Sequence, residues 1–556
     1  NTGYGNFRWY WRTPEVTDKN AVEFICLHAL PIWIKHRDRL SAESKDRLER
    51  MLRLSIEGCL RHRVRPSYTN IALSNAANLI LLGETFDRPD AVEVGKKRLN
   101  DVLICTWRGG IAEYVSPTYY GVDLDELKFL DEYVCDAEVR AQTEVLLELF
   151  WADLAANWYP ASARLAGSQS RTYNYLSGIT ETLDRHLRIA GWLPPQQDEA
   201  PGASQLDAMS GRWTPPSRYL EQCQSQCPRI VRQRWGNNPS QWRTLALWDD
   251  IALSCSSDYY GRTDMPLMVD LPGPRELPHC YFIADGREDP YGIKKFPTSS
   301  AGHNKALHLE PNWIGVQRNE DALALVSYPS RLLDDPLVTN LQSHFVCRKP
   351  EAIFLNGRAY TIPETTSWQH TIPTDATIAL KYGSAAVGMR VPWSRDQKGR
   401  KAILTLACDS QQRGVLRITV EHRDGEMLLP AEESETEPAA ILWVRIAHGL
   451  PNAEAFSAWE RIFRKAAIKT DMTEDVVEIN ATGTSGPLSL RIDQPWTPSQ
   501  FVSTTPGPLS GILEVNGIEV GRPLLEKTEL IRGIAQIESN YQPEQVSESG
   551  SHTWEA

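Results

Sequence analysis

The sequence is short of basic charge, of cysteine and of long apolar runs, and each shortage closes off a class of protein. Lysine and arginine number 59 against 71 acidic residues, a formal net charge of −12. That balance argues against a protein that coats nucleic acid through a global basic field, while leaving room for a local basic cleft. No apolar run reaches the 18 or more residues that a membrane span requires. Ten cysteines in 556 residues are too dilute for a disulfide framework. Cys223 and Cys227 form the one close pair, read as a structural thiol pair or a local disulfide, and no Cys or His pair at zinc-ligand spacing accompanies it. No H-E-x-x-H occurs either, so we expect neither metal nor cofactor. What is plentiful is tryptophan, 18 residues in a chain of otherwise ordinary globular composition. The length exceeds what one core organises, and two or three domains are expected.

Residues 1–247 read as helical. Ala21 to Leu40 carries apolar residues at the 3.6 period, with Pro31 set to kink or split the run. Ser41 is placed to cap a helix from Ala42 to His62. Further helices are expected near Ile71–Leu82, Ala91–Cys105, Glu138–Trp158 and Tyr175–Ile189, and Pro194–Pro216 reads as a surface loop. Residues 248–556 read as strands. Val415 to Glu421 alternates apolar and polar residues, and similar strands are expected at Ala402–Ala407, Ala440–Ala447 and Leu488–Ile492. Asn516-Gly517 signals a type I′ hairpin, and the tail after Glu538 reads as poorly ordered. The expected fold is α+β and multidomain: a helical N-terminal domain followed by a large antiparallel β-sandwich.

The candidate chemistry lies in the helical half. Asn6-Phe7-Arg8-Trp9-Tyr10-Trp11 suits sugar stacking on Trp9 or Trp11, or else anchors a packed terminus. In Ser67 to Asn78, Asn70 can present a carboxamide to a cleft or cap a helix. The stretch Gly109 to Asp123 has paired glycines, Glu113, Tyr114, Tyr119 and Tyr120, and reads as a long site loop between two helices. Its phenols suit proton transfer, and a rigid turn is the alternative. If the loop is extended, Tyr119 and Tyr120 face opposite ways, and Gly121 beside Tyr120 leaves room for a sugar, which favours Tyr120. Arg164 and Arg171, in the segment before Tyr175, suit bidentate binding of a carboxylate, or a surface ion pair.

The order of these segments, an aromatic entry, a Thr-Asn segment, a Gly-rich stretch ending Tyr-Tyr-Gly and a Ser-Arg segment, resembles the polysaccharide lyases built from an (α/α) toroid and a β-sandwich, the hyaluronate/chondroitin lyase and heparinase II/III-like group. The resemblance covers the helical half in motif order and the β half in architecture. It implies a toroid, incomplete here because the helical half is short for six hairpins. It also implies that Asn70 neutralises a uronate carboxylate, that Tyr120 or Tyr119 is the catalytic tyrosine, and that Arg171 binds substrate. The chondroitin-lyase loop carries a His before its Tyr, where this chain has Glu113 and Tyr114. Either Tyr then acts as both base and acid, or a His arrives from elsewhere, with His303 and His308 the candidates.

The function expected is β-elimination on a uronic-acid glycan, with Tyr as base and acid and Arg164 and Tyr114 among the substrate contacts. The partner is an acidic polysaccharide or oligosaccharide, with no nucleic acid and no membrane. Two alternatives stand beside it: an inverting glycoside hydrolase using Glu113 with Asp123 or Asp125, and a non-catalytic glycan-binding protein. A chain that opens on Asn1 and carries the sequon Asn480-Ala481-Thr482 is compatible with secretion, and a secreted or periplasmic location is expected.

Overall fold

The computed structural model describes residues 3–540 apart from 13, 196–210, 226, 294–308, 364, 366, 411, 413, 426 and 474. Helices come first: α1 (Ala21–His36), α2 (Ala42–Arg61), α3 (Thr69–Thr85), α4 (Pro89–Gly109), α5 (Tyr119–Tyr133), α6 (Ala137–Asn157) and α7 (Glu181–Ile189). Short connections make α1–α2, α3–α4 and α5–α6 successive hairpins. Local signals start them. The Ser41 hydroxyl accepts the Ser44 N–H at 3.2 Å, and the Asp136 carboxylate accepts from Glu138 and Val139 at 2.9 and 3.1 Å. Pro31 sits inside α1, which runs on past it. The helix expected from Tyr175 begins only at Glu181, because residues 175–178 are tied as a turn, with Gly178 N–H donating to Asn174 O at 2.7 Å.

Among the described residues the chain also forms antiparallel sheets of 11, 7 and 4 strands and a two-stranded pair, Trp158–Tyr159 with Arg164–Leu165, with further helices such as Ala453–Lys465 between and after the strands. Leu253, Phe282, Phe345 and Ile418 of the large sheet meet Trp313, Ala324, Leu380 and Val444 of the second in one dry core, which makes the sandwich. Ile314, Leu325 and Trp443, on the other face of the second sheet, pack against Val477, Ile479, Leu488 and Leu490 of the third. The Asn516-Gly517 hairpin forms, with φ +49° and +83° at its two turn residues. Each of the ten cysteines is a free thiol, so Cys223 and Cys227 make no disulfide. No helix among the described residues is long and apolar enough to cross a membrane.

The division at 247/248 is not a clean cut. Strands Arg229–Arg234 and Trp242–Leu247 already belong to the large sheet. The second is buried along its whole length, so it shows no polar alternation to betray it. At the other end, Ile512, Leu513, Leu525 and Ile531 return to the helical core. The two halves also share a buried polar network. Arg243, from the sheet, donates to Asn157 at 2.8 Å, Gln233 at 2.9 Å and Ser168 at 3.0 Å. Asp153 of α6 accepts from Tyr120 at 3.1 Å and from Asn157 at 3.0 Å, and Gln233 also donates to it. Such a network fixes one docking of the halves only when every member is satisfied.

Burial pushes the Asp153 carboxyl up to about 7, with Arg243 and the Tyr120 and Asn157 hydrogen bonds opposing it. The folded state therefore keeps a proton that the unfolded chain releases near pH 4, and this favours folding fully below that value and not at all above about 7. Asp153→Asn, which fixes a neutral side chain, is expected to gain stability relative to the wild type as pH rises from about 4 to about 7. Thermal unfolding of both proteins across that range checks it. The difference cancels the other titrating groups, and a constant offset from the lost acceptor leaves the slope intact.

Candidate active site

The site is assembled around Arg171. Its guanidinium pairs with Glu113, donates to the Tyr119 hydroxyl at 2.9 Å and the Tyr173 hydroxyl at 3.3 Å, and reaches the Asn70 side-chain oxygen at 3.5 Å. It lies over the Tyr119 ring at 3.9 Å and near the Tyr68 ring at 5.2 Å. Glu113 is buried, and it also accepts the Asn70 main-chain N–H at 2.9 Å, where α3 begins and its unpaired N–H groups favour an anion. Tyr119 opens α5 and meets the Tyr173 hydroxyl at 3.0 Å. Three separate stretches of chain, 68–70, 113–119 and 171–173, thus meet around one cation.

The electrostatics follow from burial. Burial opposes the Arg171 charge, but Glu113 and the surrounding phenols outweigh it and hold the guanidinium firmly protonated. Burial likewise pushes the Tyr119 phenol well above its ordinary range, with Arg171 pulling the other way. At rest Tyr119 is neutral and can donate. The Asn70 amide nitrogen is buried at the cavity wall with no hydrogen-bond partner in the structure, a donor that lacks its acceptor.

Two cavities meet at Arg171 and Tyr68. The first, of about 690 Å³, is walled by Trp9, Phe24, Ile25, Ile32, Tyr119 and His28, a largely apolar room with Asn70 and Arg171 at one side. Trp9 is held there by its indole N–H on Asp18 at 2.9 Å and by contact with Phe24 at 5.6 Å. The second, of about 1160 Å³, lies between the helices and the large sheet and is the more polar of the two, with Arg63, Arg65, Asn237, Gln241, Tyr260 and Glu310 on its walls. Together they can take several sugar rings, with the Arg171–Tyr119 pair at the junction.

Several expected residues stand elsewhere. Tyr119 and Tyr120 are not in an extended loop but in the first turn of α5, and the facing expected for them is reversed. Tyr120 is fully buried against Phe150 and hydrogen-bonded to Asp153, whereas Tyr119 faces the cavity. Gly121 leaves room for the backbone of Thr182 and not for a sugar, since a Cβ there would stand 2.2 Å from the Thr182 carbonyl. Tyr114 is buried and stacked at 5.1 Å on Trp235, a wall residue of the second cavity, and lines neither cavity itself. Arg164 is buried beside Asp270 and donates to the carbonyls of Arg275 and Leu277 at 3.2 and 2.8 Å. Trp11 is 79% exposed and contacts Arg12.

The hydrolase pair is not assembled. Glu113 is paired with Arg171, and Asp125 with Arg185 and His186. Asp123 is buried out of the cavity, with burial and then Glu113 and Glu126 pushing its carboxyl far up. His303 and His308 lie outside the described residues. Among those described, no group of three His, Cys, Asp or Glu could hold a metal ion. Sequence reasoning missed His28, Tyr260 and the roles of Tyr68 and Tyr173. The last two stand next to or near residues already singled out, Asn70 and Arg171, while His28 sits on a helix face with nothing in its pattern to mark it.

Residues 7–184 match the model of a family described as a domain of unknown function, DUF8769, and the matched stretch contains Asn70, Glu113, Tyr119, Arg171 and Tyr173. No curated protein matches the chain significantly. Among solved structures, it is similar to a heparinase III at 10% identity and a TM-score of 0.35, over 86% of this chain and 73% of the other. It is similar also to a Paenibacillus xanthan lyase at 9% identity and a TM-score of 0.35, over 88% of this chain and 60% of that one.

Proposed function

We propose that the protein is a polysaccharide lyase that cleaves an acidic glycan at a uronate by β-elimination. The observation that carries this reading is the unpartnered Asn70 amide beside the Arg171 guanidinium, which itself hydrogen-bonds the Tyr119 phenol. A uronate carboxylate seated there satisfies the orphan donor and meets the cation, which lowers the cost of charge building up at C5. A base removes the C5 proton, the electron pair forms the C4–C5 double bond, and the glycosidic C4–O bond breaks. The departing oxygen takes a proton. For this Tyr119, neutral at rest, first releases its proton to water, with Arg171 stabilising the phenolate. The phenolate takes the C5 proton and passes it to the departing oxygen, so the cycle ends on the phenolate it began with. His28 is the imidazole of the same cavity, supplied by α1 and not by the β half. A polymer of this kind is met outside the cytoplasm, and we place the enzyme as secreted or periplasmic.

The test is incubation with alginate, glucuronan, hyaluronan, chondroitin, heparan and ulvan, following ultraviolet absorbance of the unsaturated product. Absorbance growing on at least one of them is expected. New reducing ends without absorbance mean hydrolysis, binding without turnover means a glycan-binding protein, and either result overturns the proposal.

A further inference from the structure

Arg171 belongs by sequence to the helical half, yet the sheet half holds its backbone. Between strands Ala252–Ser256 and Leu267–Asp270 the chain loops out, and residues 263–265 of that loop run beside residues 169–172. Gln169 and Met265 exchange main-chain hydrogen bonds at 3.1 and 2.9 Å, and Thr172 N–H donates to Thr263 O at 3.0 Å. On its other side the strap is tied to the stretch that carries Glu113, through Ser170 N–H and Tyr114 O at 3.0 Å. Within it Arg171 has φ +47°. A non-glycine residue holds that conformation only where its surroundings impose it.

Asp264 holds the main chain of Arg171 itself at that point. One oxygen of its buried carboxylate accepts the Arg171 N–H at 3.0 Å, and the other accepts the N–H of Tyr260 at 2.6 Å and of Gly261 at 3.3 Å. The Tyr260 ring lines the second cavity, and its hydroxyl donates to Ser67 O at 3.3 Å, just ahead of α3 and Asn70. A single carboxylate therefore sets the main chain beneath the guanidinium on one side and beneath the cavity-lining tyrosine on the other. Its bonds go to main-chain N–H groups, so it works through the residues that face the cavities.

We propose that Asp264 is a positioning residue of the active centre, fixing Arg171 against Asn70 and Tyr119 and Tyr260 against the second cavity. The inference rests on the lyase reading. Its test is Asp264→Asn, assayed above the value of about 7 to which burial raises the Asp264 carboxyl, so that the wild type is ionised. The amide keeps one acceptor and turns an N–H₂ toward a main-chain donor, so one of the two anchored segments loosens. The expected result is a roughly 10–100-fold loss of kcat/KM, mostly in kcat, because small displacements of a catalytic group cost rate steeply. Asp264→Glu keeps charge and acceptors but moves them by one methylene, and it covers the case in which the amide does not fold. It is expected to lower kcat/KM as well.

The decisive readout is the double variant Asp264→Asn with Arg171→Lys. If Asp264 acts through Arg171, its replacement costs little further activity in that background, whereas a merely structural role multiplies the two losses. An active wild type with equally active Asp264 variants, or losses that multiply in full, overturns this inference alone. A wild type that yields no unsaturated product from any acidic polymer overturns the lyase reading, and this inference falls with it.

Discussion

Replacing Arg171 by alanine is expected to lower cleavage of a uronate polymer by about 10³-fold and to destabilise the fold by about 3–5 kcal/mol. The two effects have different origins. The loss of rate comes from removing the cation that faces the substrate carboxylate and hydrogen-bonds the Tyr119 and Tyr173 hydroxyls. The loss of stability comes from Glu113, which is fully buried and would be left as an unpaired carboxylate. Arg171→Lys separates them. It retains a positive charge near Glu113, so most of the stability should survive, but an ammonium cannot reach Glu113, Asn70 and both phenols with one planar fork. Its turnover should therefore remain at least about 10-fold below wild type. Steady-state rates from product absorbance, paired with denaturant unfolding, check both statements. Wild-type rates in Arg171→Lys would mean that the guanidinium fork is not used in catalysis.

The parts of this molecule that could be read from its sequence are those set by local rules. Ser41 caps its helix and Asn516-Gly517 turns its hairpin because both are short-range preferences that no distant contact overrides. Val415–Glu421 runs as a strand over the expected residues, carried by its alternation. Helix α5 escaped notice for the opposite reason. Nearly all of Tyr119–Tyr133 is buried, Asp123, Asp125 and Glu126 included, so no polar stripe sets its period, and Gly121 near its start looks like a loop residue. That glycine is there for a tertiary reason, the approach of Thr182.

The site divides along the same line. Asn70, Glu113, Tyr119 and Arg171 stood out as unusual residues in unusual segments, and the fold gathers them around one cation. Which of two adjacent tyrosines faces the cavity was not legible, because it depends on whether the backbone there is extended or helical. The part played by Asp264 was not legible at all. An aspartate in a surface-like run, Gly261-Arg262-Thr263-Asp264, gains its meaning only from three N–H groups, that of Arg171 93 positions before it and those of Tyr260 and Gly261 four and three positions before it.

The tyrosine pair gives the sharpest contrast. Successive residues of a helix point about 100° apart, so at the start of α5 the cavity receives one phenol and the core receives the other. Tyr119→Phe keeps the ring beneath Arg171 and removes only the hydroxyl, so the fold should persist while turnover falls by roughly 10²–10⁴-fold, the usual effect of losing a general acid–base group. Tyr120→Phe should do the reverse. It deletes a buried hydrogen bond to Asp153 and is expected to destabilise the protein by about 1–3 kcal/mol while leaving turnover close to wild type. Product absorbance and thermal unfolding, measured on both variants, distinguish the two outcomes. Should Tyr120→Phe abolish turnover and Tyr119→Phe retain it, the chemistry lies on the core side of α5 and the cavity assignment is wrong. Should both keep wild-type rates, neither phenol moves the proton, and His28, on the wall of the same cavity, becomes the group to replace.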